Sequence, residues 1–193
     1  YIGRFCDAGG KSRMIAYKGF HPGLICLGYQ YVMGLNTTSE ANCAHNGFHC
    51  AENPLDCLSY YSDMEHSEYF LVQPGGDIDE DENDSKIACT ELTIIKKLER
   101  EQFFLHALAY MVDHPDRKWN KNVCHDQGKA GKGYAVVRGA DPVASGEKND
   151  ILAFAKEAPD SGKIIQIALV RVDGRKIKVN TWYDINLKER MVG

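Results

Sequence analysis

The first readable pattern is residues 14–20, MIAYKGF, a mostly apolar run that predicts a strand. Pro22-Gly23 then turns the chain, and a second apolar run at 25–32 predicts another strand, broken by Gly34. Residues 37–40 combine a hydroxyl cap with an acid three places on, which predicts a helix start. Asn53-Pro54 is a stronger helix signal, because Asn caps well and Pro has its φ pre-set for the first helical position. Leu55, Leu58 and Tyr60 or Tyr61 fall on one side of that short helix. Residues 69–73 read as a strand stopped by Pro74-Gly75-Gly76. Residues 87–95 read as a strand with Ile87, Cys89, Glu91 and Thr93 on one face and Ala88, Thr90, Leu92 and Ile94 on the other.

The longest helical period runs over 99–114. Phe104, Ala107, Leu108 and Met111 repeat at helical spacing, Phe103 and Tyr110 widen the stripe, and Pro115 ends it. Residues 128–150 then read as a connection punctuated by Gly128, Gly131, Gly133, Gly139 and Gly146 at uneven spacing. Strand patterns return at 151–155, 163–172, 176–179 and 181–183, with Asp173-Gly174 signalling a hairpin. The expected fold is α+β: a mostly antiparallel sheet, two or three packed helices and a C-terminal β-hairpin region. The expected organisation is an N-terminal extension or expression remnant at 1–13, a core module at 14–127, the glycine-punctuated connection at 128–150 and a β module at 151–193.

Composition adds bounds to this picture. The chain has 193 residues, 44% of them hydrophobic, which is enough for a sizeable core. A net charge of −4 argues against direct nucleic-acid binding. The negative charge is concentrated: Asp77, Asp79, Glu80, Asp81, Glu82 and Asp84 lie within one short stretch that reads as a solvated loop and a partner-binding candidate. Seven cysteines, an odd number, are too few for a disulfide scaffold of this size. With no apolar run of membrane length, the expectation is reduced thiols, no membrane and a cytoplasmic location. Gly10-Lys11-Ser12 ends like a phosphate loop, but Phe5 stands where that loop needs its first glycine.

The stretch CAHNGFHCAENPLDCLSYY and its neighbours offer three kinds of chemistry. Cys43, His45, His49, Cys50 and Cys57 are zinc donors by type. Their spacing lacks the paired knuckles of a zinc site, so no metal and no cofactor are expected. Cys50 beside His49, and Cys124 beside His125, place a thiol next to a base, yet sequence neighbours seldom face each other, and no catalytic residue is assigned. Finally, Tyr17, His49, Tyr60 and Tyr61 form a possible ligand pocket. The order of Tyr17-Lys18-Gly19, residues 37–40 and Gly47-Phe48-His49 resembles the order of parts in ADP-ribosyltransferases. That resemblance implies a dinucleotide gripped between tyrosines, with Glu91 or Glu68 orienting a hydroxyl.

A broader resemblance covers roughly 14–183. MIAYKGF, GYQY, NGFHCAENPLDCLSYY, DSKIACT and VDGRKIKVNTWY are similar to a family of uncharacterised proteins common in bacteriophages and prophages. Many members carry a long array of turn repeats between the front and back modules, here shortened to about 125–150. The resemblance implies an accessory protein in a bacterial cytoplasm. Its expected partner is a host protein or ribonucleoprotein, such as an antiviral CRISPR effector that it would inhibit. It carries no established activity to transfer.

Overall fold

Alternating and β-branched stretches dominate this chain, and they assemble mainly by pairing with one another. The computed structural model describes residues 4–6, 12–41, 46–80 and 85–192. Two compact units divide it, Tyr1–Glu99 and Arg100–Gly193.

In the first unit the strands are β1 (Arg4–Cys6), β2 (Ser12–Met14), β3 (Ala16–Phe20), β4 (Ile25–Cys26), β5 (Tyr29–Gln30), β6 (Gly34–Thr37), β7 (Phe48–Ala51), β8 (Glu68–Glu80) and β9 (Lys86–Leu98). A 3-10 helix, Pro54–Ser59, follows β7. Strand β9 pairs antiparallel with β8 along one edge. Along its other edge it pairs first with β7 and then with β6. Because β3 joins β7 to β8, the circuit β9–β7–β3–β8 closes on itself. Side chains on the inner face fill the interior: Ala16, Phe20, Phe48, Cys50, Phe70, Val72, Ile87, Cys89, Leu92 and Ile94. The inward residues of β9 change phase at Thr90-Glu91, opposite a bulge where Gly76 and Asp77 of β8 face a single residue.

In the second unit, α1 (Arg100–Asp113) is followed by β10 (Val123–Lys129), β11 (Tyr134–Ser145), β12 (Ile151–Glu157), β13 (Ile164–Arg171), β14 (Trp182–Asp184) and β15 (Glu189–Arg190). Helix α1 buries Phe103, Phe104, Ala107, Leu108 and Met111, the stripe its spacing predicts. It lies against β12 and β13. Strands β10, β11 and β12 run parallel, Val123 beside Val136 and Tyr134 beside Ile151, although only residues 130–133 and 146–150 connect them. Parallel neighbours usually need a crossover of a dozen residues or more. Here each strand turns a corner instead: His125 faces Arg138, and the next paired residue, Gln127, faces Val143. The chain winds as short stacked coils.

The fold corrects the α+β expectation. Among the described residues, strands hold 50% and helices 12%, with one α-helix and one 3-10 helix. The expected helix at 37–40 does not form, because Thr38 N donates to Thr90 O and continues the β6–β9 ladder. The strand expected to stop at Pro74-Gly75-Gly76 runs through to Glu80. There Gly76 adopts φ +67 in the bulge, and β3 covers that edge of β8 only as far as Val72, so the N–H missing from Pro74 costs no ladder bond to β3. The run 25–32 breaks into β4 and β5 around Leu27-Gly28, a left-handed pair at φ 51 and 77. Residues 128–150, expected as a connection, contain the central strand β11. Asp173 does not turn a hairpin: its carboxylate accepts from Arg175 N and Ile177 N, leaving 176–179 without strand. The C-terminal hairpin is β14–β15. Among the described residues, no helix is long and apolar enough to cross a membrane.

Close approach at Gly19 makes the first unit testable. A Cβ there would sit 2.6 Å from Tyr61 Cδ2 and 2.8 Å from Cγ. Gly19→Ala should lower stability by about 1–3 kcal/mol, read as an earlier urea midpoint; an unchanged midpoint would show that the Tyr61 ring is not held in place.

Candidate functional site

Strand alternation sorts the predicted site residues before any chemistry does. On β3, Ala16, Lys18 and Phe20 share the inward face, and Tyr17 and Gly19 share the other. Tyr17 is buried, and burial, reinforced by nearby Cys57, holds its phenol well above the usual range. Tyr61 lies against Gly19, with its ring 5.2 Å from that of His21, and its backbone oxygen accepts from the Tyr69 hydroxyl. Tyr60 is 72% exposed. The structure therefore brings Tyr17 and Tyr61 to one face of β3 and leaves Tyr60 in water, so the adjacent tyrosines do not stack as a pair. Of the acids proposed to orient a hydroxyl, Glu68 pairs with Lys97 at 2.5 Å and accepts from Gly23 N, and Glu91 is exposed.

Among the described residues, Cys26, Cys50, Cys57 and Cys89 are buried and Cys124 is half-buried. Asn53 caps the 3-10 helix by accepting from Leu55 N at 3.1 Å, and this seats Cys57 and Leu58 in the core. On β7, Phe48 and Cys50 point inward while His49 alternates to a half-buried position. Cys43 and His45 lie outside the described residues. Among the described residues, no group of three or more His, Cys, Asp or Glu side chains is placed to hold a metal.

Lys18 is the residue that sequence reasoning missed. It is 6% exposed, between inward-facing Ala16 and Phe20. Its Nζ donates to His49 O at 2.7 Å and lies 5.4 Å from the Phe20 ring and 5.3 Å from the Tyr31 ring. Aromatic faces and a carbonyl replace part of the water a buried ammonium loses. The Cys50 thiol hydrogen bonds with Cys89, and together with burial this pushes it well above its ordinary value, while Lys18 pulls it down. Burial pushes the Cys57 thiol up to about 12. Cys50 and Cys57 are thus held as thiols, whereas the hydrogen bond with Cys50 holds the Cys89 thiol below its ordinary value. The only sequence clue was the place of Lys18 in the alternation of AYKGF.

The second unit holds a comparable feature. Arg138 is 3% exposed; its Nε donates to Glu157 at 2.6 Å and its terminal nitrogen to Pro115 O and Gly162 O. Its guanidinium lies 4.6 Å from the Trp119 ring, which stacks on His125 at 5.3 Å. His125 Nδ1 meets Asp126 at 2.7 Å. The adjacent Cys124 and His125 do not come together as thiol and base: Cys124 packs on the apolar core, and His125 is 70% exposed.

Asp77, Asp79 and Glu80 belong to a strand where a loop was expected. Asp77, Asp79 and Glu80 are exposed at the end of β8, with Asp79 opposite Ala88 and Glu80 opposite Ile87. Asp77 N donates to Thr90 Oγ1 at 2.8 Å, which fixes the bulge from which they start. Asp81, Glu82 and Asp84 lie outside the described residues.

Two measurements test the interior. Lys18→Met keeps the stem and should stay within about 1.5 kcal/mol of the parent, whereas Lys18→Ala opens a cavity and should cost about 2–4 kcal/mol in urea unfolding. Equal costs would deny the stem a packing role. The Cys57 thiol also couples stability to pH. Below about 9, its ordinary value, folded and unfolded chains both keep the proton and its contribution is whole. Between 9 and 12 only the unfolded chain releases it, so stability falls as pH rises. Cys57→Ala should flatten that fall by up to about 1.4 kcal/mol per pH unit.

Comparison with known proteins adds one match. Residues 14–106 are similar to a domain of unknown function (DUF7666), a stretch that covers β3 to β9 and continues into α1. No curated protein and no solved structure matches the chain.

Proposed function

We propose that this protein is a phage- or prophage-type accessory factor that acts in a bacterial cytoplasm by binding a host macromolecule, an antiviral CRISPR effector ribonucleoprotein in particular. The observation that carries this reading is the setting of Asp77, Asp79 and Glu80. They stand exposed on a hydrogen-bonded ladder rather than on a pliant loop. Carboxylates held on a ladder lose little conformational freedom when they meet a basic surface. Opposite potentials also speed encounter and set register. A nucleic-acid channel offers such a surface, lined with cations that phosphates would otherwise occupy. The resemblance of the chain to phage and prophage proteins supports the context.

Replacing Asp77, Asp79 and Glu80 together with Ser should weaken binding to a guide-loaded CRISPR nuclease at least about tenfold, flatten its salt dependence and restore DNA cleavage. These residues are exposed, so the melting temperature should barely change. A nuclease that cleaves at full rate with excess parent protein present would sink the assignment.

A further inference from the structure

In the second unit a row of planar side chains runs from the interior out into water. Arg138 is buried, and its guanidinium lies 4.6 Å from the half-buried Trp119 ring. The indole stacks on the His125 imidazole at 5.3 Å with an interplanar angle of 18°. His125 is the outermost member, with 70% of its side chain in water. Among the described residues Trp119 is the one ring it stacks on, so its other face is open.

An exposed ring is ordinarily mobile, yet this one is aimed. His125 Nδ1 meets Asp126 Oδ2 at 2.7 Å, and Asp126 Oδ1 accepts from Ala140 N at 3.2 Å across the corner of β11. Asp126 takes a left-handed φ of 59, which Asp tolerates better than most residues. Gly139 leaves space for that carboxylate, because a Cβ there would sit 1.9 Å from Asp126 Oδ1. Fixing a ring that stays mostly in water costs entropy and adds little to a core. The same fixation favours a ligand that meets the ring, since nothing is left to order on binding.

Charge gives the ligand its sign. The net charge of −4 is unevenly divided along the chain. Residues 1–99 carry 15 Asp and Glu against 7 Lys and Arg, whereas residues 100–193 carry 16 Lys and Arg against 12 Asp and Glu. Lys118 and Lys121 flank Trp119 in one short loop, which the bond from Val123 N to Asn120 O folds back toward His125. Both lysines are exposed, and neither pairs with a carboxylate among the described residues. Of the nearest acids in the sequence, Asp116 and Asp126, the second is already engaged by His125 and Ala140 N.

We infer that the open face of His125, backed by Trp119, stacks a base of single-stranded nucleic acid while Lys118 and Lys121 meet its phosphates. A flat open face beside unpaired ammonium groups suits a ligand that joins planar rings to anions. A duplex fits less well, because its bases already cover one another's faces. A neutral sugar chain brings no anion for the lysines. The platform shares no residue with the acidic end of β8, so naked strands test it without any nuclease.

Fluorescence anisotropy of a labelled strand of about 12 adenines, titrated with the full chain up to about 300 µM, reads the binding. The expected result is saturable binding that weakens about sevenfold between about 50 and 200 mM salt, as two phosphate contacts on a single strand require. An abasic strand of equal length should bind about fivefold more weakly or worse. His125→Ala should cost a similar factor with an unchanged melting temperature, because the side chain is mostly in water. His125→Phe keeps a flat ring and should retain the binding. Lys118→Ala with Lys121→Ala should remove most of the salt dependence. No binding at the highest concentration overturns the platform. So does equal affinity for the adenine and abasic strands, which leaves only attraction to a polyanion, or equal affinity for a duplex. Binding that survives both His125→Ala and the paired lysine substitutions overturns it as well.

Discussion

Pairing of β9 along both edges is the constraint on which the first unit rests. One edge is occupied by β8 and the other by β7 and β6, so the strands close through β3 into a ring. A closed ring has an inside, and alternation sends every second side chain into it. Ala16, Phe20, Cys50, Phe70 and Cys89 follow from that geometry, and so does Lys18. Register leaves this lysine no other direction to point, since a shift of one residue on β3 would turn Ala16 and Phe20 outward as well. The interior accommodates it with a carbonyl and two aromatic rings. Hydrogen bonding with Cys89 and burial raise the Cys50 thiol, and burial raises the Cys57 thiol. Among the described residues, Cys26, Cys50, Cys57 and Cys89 are buried parts of that interior.

The second unit places a cation under comparable constraint. Arg138 lies where β11 turns its corner, and its guanidinium spans Glu157, Pro115 O, Gly162 O and the Trp119 ring. A planar group with several donors can tie two loops and a strand at once, which an ammonium cannot do. Short stacked coils need such ties, because each coil is too small to bury an apolar face alone. Helix α1 supplies the rest of the cover, with Phe104 against Tyr134 at 4.9 Å.

The surface divides along similar lines. Edges that carry Pro74, Asp77, Asp79 and Glu80 repel further strands, and their charges suit a basic partner. The β6 edge carries neither charge nor proline and presents apolar side chains. Both surfaces are strand edges, and the sequence guards them differently.

Local signals settled what depends on near neighbours. The 3.6-residue stripe from Phe103 to Met111 marks α1 because a helix is bonded within itself. Asn53-Pro54 marks the short helix for the same reason. The alternation that puts Ile87 and Cys89 on one face at the start of β9 was also legible, though not which face turns inward. Other features depended on partners distant in the chain. Whether 37–40 became helix was decided by Thr90, and whether β8 survived Pro74-Gly75-Gly76 was decided by β9 on one side and the end of β3 on the other. Glycine-rich residues 128–150 became a central strand because β10 and β12 flank it. Burial of Lys18 and Arg138 likewise required ring closure and coil stacking. Composition and period determine which segments prefer helix or extended chain, since those preferences are local; long-range hydrogen bonding determines which extended segments meet, and hence which side chains water no longer reaches.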